Sequence, residues 1–252
     1  MNKRGQVTIF IIIAIIIVVA IVGVYILTKK TQVQTNILDN PQSFLEKCIS
    51  DSVKESEDII FNSNGFPENN FKNYMLYKKE KIPFMCTSSE FYSACIPQEP
   101  MFINKIENIM SNKVNRDYEE CTLKIKKEVQ DKGYGYKEEK TNFSLSIRKD
   151  FIYVNINKKI FISKNEFSKE LNKIDVKISS KLYNILKLEQ VIVNYESTIC
   201  EFDYLNWMLQ ERELSITRDK TSDQTKIYTI EDQQTDKQIK FAVKTCILPA
   251  GL

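Results

Sequence analysis

An uninterrupted apolar run near the amino terminus constrains this chain more than any other feature. The run extends from Val7 to Leu27 and contains no charged residue. As a helix it would rise roughly 31 Å, close to the ~30 Å hydrocarbon thickness of a bilayer. It is longer than the apolar part of a secretory signal peptide, and no small-residue cleavage site follows it. The sequence therefore predicts a retained transmembrane helix within a basic and apolar segment, residues 1–30.

Six cysteines, all beyond the apolar run, indicate on which side of the membrane the rest of the chain lies. Their number is even, and the chain contains neither histidine nor a C-x-x-C motif, so no zinc site of the usual spacing is available. Scattered, paired cysteines are typical of extracytoplasmic domains. We therefore expect a single-pass protein of the cell membrane with a cytoplasmic amino terminus and an extracytoplasmic carboxy-terminal domain. Six buried thiols in a cytoplasmic domain remain the alternative at this point.

The positions of the cysteines favour one set of disulfides among the many that six cysteines allow. Cys86 and Cys95 lie at the ends of a short polar loop. Cys48 and Cys121 each lie on the apolar stripe of a predicted helix, and two antiparallel helices facing each other would bring their sulfur atoms together. The remaining pair is Cys200 with Cys246. We therefore expect the pairs Cys86–Cys95, Cys48–Cys121 and Cys200–Cys246.

The hydrophobic periodicity predicts an α+β fold. Helical spacing surrounds Cys48, returns around Cys121 and appears again between Leu182 and Ile199, whereas alternation marks residues 143–162 and the tail beyond residue 213. The expected order is a single N-terminal transmembrane helix followed by an extracytoplasmic domain of helices, a β-meander, a helix and closing strands. We expect a cysteine-containing helical region at 31–130 and a mixed region at 131–252, packed together as one ectodomain.

Two finer expectations concern side-chain exposure and strand breaks. The first outer helix, which opens with Asn40 and Pro41, is expected to leave four charged residues in solvent: Glu46, Lys54, Glu55 and Glu57. In the meander, the residues Asn157-Lys158-Lys159 interrupt the alternation. They predict a break between the strand ending at Ile156 and a further strand through Ile160 and Ile162.

The charge distribution gives little support for nucleic-acid binding. The net charge is +3, but Lys3, Arg4, Lys29 and Lys30 account for four of the 36 basic residues. The remaining 32 basic residues face 33 acidic residues, which leaves −1 outside the first 30 residues. No basic stripe with interleaved aromatic residues is present. We therefore expect no nucleic-acid partner.

The sequence contains no recognisable catalytic chemistry. The absence of histidine removes the commonest general base, and the six glycines form no phosphate-binding loop. Five acidic residues near the carboxy terminus match no calcium-binding motif and are interpreted as turn residues: Asp219, Asp223, Glu231, Asp232 and Asp236. Asn142-Phe143-Ser144 is a weak candidate for glycosylation. We therefore expect no enzyme activity, no catalytic residue, no metal site and no cofactor.

The segment Lys3-Arg4-Gly5-Gln6, followed directly by the apolar run, resembles the prepilin-type (class III) signal of archaeal pilins and archaellins. In that family a membrane peptidase cuts after a glycine that follows basic residues, and the retained helix packs into a filament core. The resemblance implies a prepilin peptidase as partner, a cut between Gly5 and Gln6, and self-assembly. More broadly, the chain is similar to archaeal membrane-anchored surface proteins that begin with KRGQ and an apolar run. That second resemblance brings no activity with it.

Two hypotheses for function follow. The first is a membrane-anchored, surface-exposed structural or interaction protein, a pilin-like subunit processed between Gly5 and Gln6. The alternative is a stand-alone single-pass ectodomain that binds a ligand or a cell-envelope protein. Both expect the lipid bilayer as a partner through Val7–Leu27.

Overall fold

The chain divides into two compact units, residues 1–40 and Pro41–Leu252. The computed structural model describes residues 13–19, 39–67, 71, 73–90 and 92–246. In the first unit, residues 13–19 are helical and exposed. The predicted regions 31–130 and 131–252 share the second unit from Pro41 onward.

The predicted transmembrane helix is the first correction. Among the described residues, no helix combines the length and the apolarity needed to cross a bilayer. Of the span Val7–Leu27, the structure describes only residues 13–19. The predicted fold class is therefore wrong in its first element, and the rest of that span lies outside the described residues.

The second unit is α+β, with helices and strands in alternating groups. Its helices are α1 (Pro41–Asn62), α2 (Phe102–Asp131), α3 (Leu182–Thr198) and α4 (Tyr204–Gln210). The strands before α3 are β1 (Tyr74–Tyr77), β2 (Glu80–Thr87), β3 (Ile96–Pro97), β4 (Gly135–Glu138), β5 (Asn142–Arg148), β6 (Phe151–Lys164) and β7 (Phe167–Ser179). The strands after α4 are β8 (Leu214–Lys220), β9 (Lys226–Asp232) and β10 (Gln238–Lys244).

The larger sheet joins strands from both ends of the unit. Its order is β1-β2-β10-β9-β8, and β3 also pairs with β2. β2 and β10 are parallel, whereas the other neighbours in this sheet are antiparallel. At the centre, Ile82 of β2 packs with Ile227 and Ala242, all of them buried. β10, which follows α4 in the chain, therefore pairs with β2, a strand from the beginning of the second unit.

The smaller sheet contains a second correction. β6 pairs with β7 along one edge and with β4 and β5 along the other, all antiparallel. The predicted break at Asn157-Lys158-Lys159 is wrong, because β6 continues through it with an irregular register between Asn157 and Ile160. Lys158 is buried, and its ammonium group lies 2.9 Å from Glu138 and 3.3 Å from Glu119. These partners let a lysine enter the interior without ending the strand.

The helices pack on the two sheets and on each other. α1 contacts β7, α2 contacts β4 and β5, and α3 contacts β9 and β10. α1 and α2 are antiparallel neighbours, and their fully buried side chains include Leu45 and Ile49 of α1 and Ile106 and Ile125 of α2. These apolar stripes explain why both segments are helical, since they recur at the spacing of one helix face.

Glu57 on α1 is a third correction, because it is buried and not exposed to solvent. Its carboxylate accepts a hydrogen bond from the Ser180 hydroxyl and lies 3.0 Å from the Lys237 ammonium group. Both partners come from segments far along the chain. The helical spacing of α1 alone could not identify them, because it shows only which residues share a face.

The turn after α1 requires glycine. Asn64 and Gly65 have φ angles of 51° and 83°, and the Gly65 amide donates a 2.8 Å hydrogen bond to the Ile60 carbonyl at the end of α1. A Cβ atom on Gly65 would clash with the buried Phe102 ring. Gly65 therefore ends α1 and lets Phe102, the first residue of α2, pack against the turn.

Replacing Gly65 by alanine is expected to lower the free energy of unfolding by about 2 kcal/mol or more, through the positive φ and the clash with Phe102. Urea unfolding of both proteins measures the difference. Gly133→Ala is the matched control, because Gly133 has a φ of 75° but an added Cβ would meet only the Lys164 ammonium group at 3.6 Å. Equal losses in the two variants would show that the Phe102 contact contributes nothing.

Candidate interaction groove

An open groove lies between the second half of α1 and the first half of α2. We call it the α1–α2 groove, and its volume is about 540 Å³. Its floor is formed by the buried side chains of Ile60, Phe66 and Met110. Ile59 and Ile109 flank this floor, and Ile59 keeps 37% of its surface exposed. α1 therefore carries more apolar surface than the core of the unit covers.

The helices are joined more closely at the other end of their contact. Cys48 and Cys121 are bonded there, with their Cα atoms 6.7 Å apart. The Ser52 hydroxyl donates a 2.5 Å hydrogen bond to Asp117. Towards the groove, the small side chain of Ser56 turns back to its own helix and donates to the Ser52 carbonyl at 2.8 Å. The groove therefore begins at Ser56, beyond the end of the helix contact that the Cys48–Cys121 disulfide joins.

Three basic side chains border the groove: Lys105, Lys113 and Arg116. The Lys105 ammonium group lies 2.7 Å from Glu99 and 4.8 Å from the centre of the Phe66 ring. Arg116 is exposed and forms no ion pair with any residue of the described chain. Arg116 is therefore the border cation without an ion pair in the described chain, and it lies next to an apolar floor.

Lys113 is held in place by two carboxylates of the helix pair. Its ammonium group lies 2.8 Å from Asp117 and 3.1 Å from Glu55. Partial burial acts to lower the pKa of Lys113, but the hydrogen bonds to these two carboxylates outweigh it and raise the pKa. Partial burial likewise opposes the shift of Asp117, whose pKa is lowered by its hydrogen bonds from Lys113 and Ser52. Lys113 therefore stays charged at any physiological pH.

The lining of the groove is suited to binding. Apolar side chains form the floor, and the polar groups at the border are cations, a serine already bonded to its own helix, and the Asn112 amide. Grooves of this kind receive the apolar face of a helix or an extended segment. Cations at the border favour a partner that carries carboxylates.

The structure brings the cysteines together in the pairs favoured by their positions. Besides Cys48–Cys121, Cys86–Cys95 and Cys200–Cys246 are bonded, with Cα separations of 5.4 Å and 5.6 Å. No free cysteine remains among the described residues. Three disulfides therefore close loops in different parts of the second unit.

The other predicted site residues are dispersed. Asn142 is the first residue of β5 and is exposed, as a glycosylation site must be. Exposure alone does not establish the modification, so glycosylation stays a prediction. Gly5 and Gln6 lie outside the described residues, and so does most of the predicted contact with the bilayer. Processing by a prepilin peptidase therefore also stays a prediction.

The acidic residues considered for calcium are placed along β8–β10 and their turns. Asp223 accepts hydrogen bonds from the hydroxyls of Thr221 and Thr225, and Asp232 accepts one from Thr235. Within the described ranges, no three acidic or cysteine side chains converge as a metal site requires. Asp223 and Asp232 therefore order turns of the larger sheet. The interpretation as turn residues is wrong for Asp219 and Glu231, which lie within β8 and β9.

A buried ionic cluster, missed by the sequence analysis, connects α3 with β9. The Lys226 ammonium group lies 2.8 Å from Glu196 and 2.7 Å from Glu201, and donates a 2.7 Å hydrogen bond to the Cys200 carbonyl. The Tyr228 hydroxyl donates to Glu196, and burial together with this carboxylate raises the Tyr228 pKa. Since each charge has a partner, we interpret the cluster as structural. The alternating pattern of β9 does not indicate this cluster, because Glu196 and Glu201 lie in and just after α3.

No protein-family model matches the chain, and comparisons with curated proteins and with solved structures give no match either. The function is therefore argued from the geometry and chemistry of the described residues.

Proposed function

We propose that this chain is an extracytoplasmic interaction protein whose α1–α2 groove binds an apolar, acidic segment of a partner protein. The observation that carries the proposal is the half-exposed Ile59 above an apolar floor and beside the cationic border of Arg116, Lys105 and Lys113. Lys105 and Lys113 are paired with carboxylates, so Arg116 is the border cation that remains available to a partner. An apolar groove of this size beside that guanidinium group favours a segment with apolar anchors and a neighbouring carboxylate. The three disulfides support an oxidising, extracytoplasmic location.

Photo-crosslinking from Asn112 identifies the partner segment. Asn112 is exposed and lines the groove, so a photoreactive residue there in the full chain samples the bound segment in the native cell envelope. The same probe at Glu166, exposed in the turn between β6 and β7, is the control. We expect Asn112 alone to capture a segment with apolar residues and neighbouring acids. Capture of a basic or purely polar segment would contradict the proposal.

Reversing one charge of the border is expected to weaken that interaction. Arg116→Glu should reduce the affinity for a synthetic peptide of the captured segment about tenfold, and this difference should shrink at high salt. Arg148→Glu makes the same charge change at an exposed position on β5 and should leave the affinity unchanged. Isothermal titration calorimetry measures both. Equal effects of the two substitutions would show that Arg116 acts only through the net charge of the protein and not through its place beside the groove.

Cleavage between Gly5 and Gln6 has its own measurement, independent of the groove. The amino-terminal residue of the protein isolated from its native source is expected to be Gln6 if a prepilin peptidase processes the chain. A chain that begins at Met1 or Asn2 would contradict the pilin-like hypothesis and leave the groove proposal unaffected.

A further inference from the structure

A small cavity lies where α3 faces the β2–β3 region and the segment that leads into α2. Its volume is about 140 Å³. The apolar part of its lining comes from Met85, Pro97, Pro100 and Val193. Asn194, which is exposed, connects the cavity with solvent. The cavity is distinct from the α1–α2 groove and shares no lining residue with it.

Glu189 of α3 lines this cavity and carries a carboxyl group without a partner. The residue is only 1% exposed, and neither carboxyl oxygen has a hydrogen-bond partner within the described chain. Two other buried glutamates of the unit, Glu57 and Glu196, are both bonded to lysines. A buried carboxyl group without a donor or counter-charge is costly, so native proteins rarely retain one without a ligand, a proton or ordered water.

Among the described residues that line the cavity, Glu99 is the only other titratable one, and its charge is compensated. Its carboxylate lies 2.7 Å from the Lys105 ammonium group. Glu189 therefore provides the single uncompensated acidic group of the lining. The other walls combine the four apolar side chains with the neutral amides of Gln190 and Asn194. This combination matches a ligand with a cationic head and a short apolar tail.

We propose that the cavity binds a primary alkylammonium group, with the ammonium group against Glu189 and the methylene groups against Met85, Val193 and the two prolines. At about 30 Å³ for each water-sized group, the cavity holds a chain of about five heavy atoms. A lysine side chain of another protein and a free alkylamine both have this chemistry. Burial raises the pKa of Glu189 well above its ordinary value, so the bound ammonium group must displace a proton. Binding is therefore expected to strengthen as pH rises.

Titration of the full chain with n-butylammonium chloride at pH 8, followed by NMR or calorimetry, tests this site. We expect saturable binding to the wild-type protein and at least tenfold weaker binding to Glu189→Gln, which keeps the shape of the side chain but removes its charge. n-Butanol has the same number of heavy atoms without the charge and should bind at least tenfold more weakly than the amine. Thermal unfolding of Glu189→Gln establishes that the variant is folded.

The results separate the possible outcomes. Absence of saturable binding, equal binding of amine and alcohol, or equal binding to both proteins would overturn the proposal. Displacement of the amine by equimolar sodium or potassium would also overturn it, since the site would then be an inorganic cation site. A parallel titration with Nα-acetyl-lysine methylamide identifies the source. Tighter binding of this compound than of n-butylammonium indicates a protein lysine, and the reverse order indicates a free amine.

Discussion

A Glu189→Gln variant is expected to be more stable than the wild-type protein at neutral pH in amine-free buffer. Burial raises the pKa of Glu189 well above its ordinary value of 4.5. The folded state therefore keeps a proton that the unfolded state releases. Above the unfolded pKa, the free energy of unfolding of the wild-type protein falls by about 1.4 kcal/mol per pH unit, until the pH passes the raised folded pKa. Glutamine cannot ionise, so the variant avoids this loss.

Urea unfolding at several pH values between 4 and 8 measures this difference. The two proteins should have similar stability near pH 4, where the glutamate is protonated in both states, and should diverge as pH rises. Glu166→Gln, at an exposed position in the β6–β7 turn, is the control and should follow the wild-type profile. Parallel profiles of the wild-type protein and Glu189→Gln would mean that Glu189 has a compensating partner in solution.

Replacing Lys226 by methionine is expected to lower the free energy of unfolding by about 3–5 kcal/mol. Lys226 and Glu196 are both almost completely buried, and the ammonium group is the one cation paired with Glu196 in the described structure. Its removal leaves the carboxylate in the interior with the Tyr228 hydroxyl as its main donor. The loss therefore reflects an uncompensated buried charge more than the strength of one ion pair.

Two further variants test this explanation. Lys226→Met combined with Glu196→Gln removes both charges and should recover much of the lost stability. Lys173→Met makes the same substitution in an exposed pair, where the ammonium group lies 2.8 Å from Asp175, and should have little effect. A double variant as unstable as Lys226→Met would show that lost packing, and not charge, dominates.

Much of the local structure of the second unit is predictable from periodicity. The closing segments expected to alternate are β8, β9 and β10, and the helical spacing around Cys48 and Cys121 corresponds to α1 and α2. The cysteine pairing also followed from position, because Cys48 and Cys121 occupy the facing stripes of two neighbouring helices. These features depend on residues within a few positions of one another or on one shared face.

The same periodicity misled where a charged residue enters the interior. Lys158 was expected to break a strand and Glu57 to face solvent, yet both are buried beside partners from distant segments. The α1–α2 groove was not predictable either. Its only signal was the width of the apolar stripes at Ile59-Ile60 and Ile109-Met110, and width alone does not distinguish a core face from a partly exposed one.

The sequence by itself determined α1, α2, α3 and the strands β5, β8, β9 and β10, together with which cysteines can meet, because hydrogen-bond periods and helix faces are local properties of the chain. Only the tertiary structure decided the parallel pairing of β2 with β10, the groove left open beside Ile59, and the separate environments of Glu57, Glu189 and Glu196. Two of these glutamates meet lysines from β9 or the β9–β10 turn, whereas Glu189 faces a cavity. Local sequence cannot distinguish them, because the cost of burying a charge depends on which distant groups the fold places beside it.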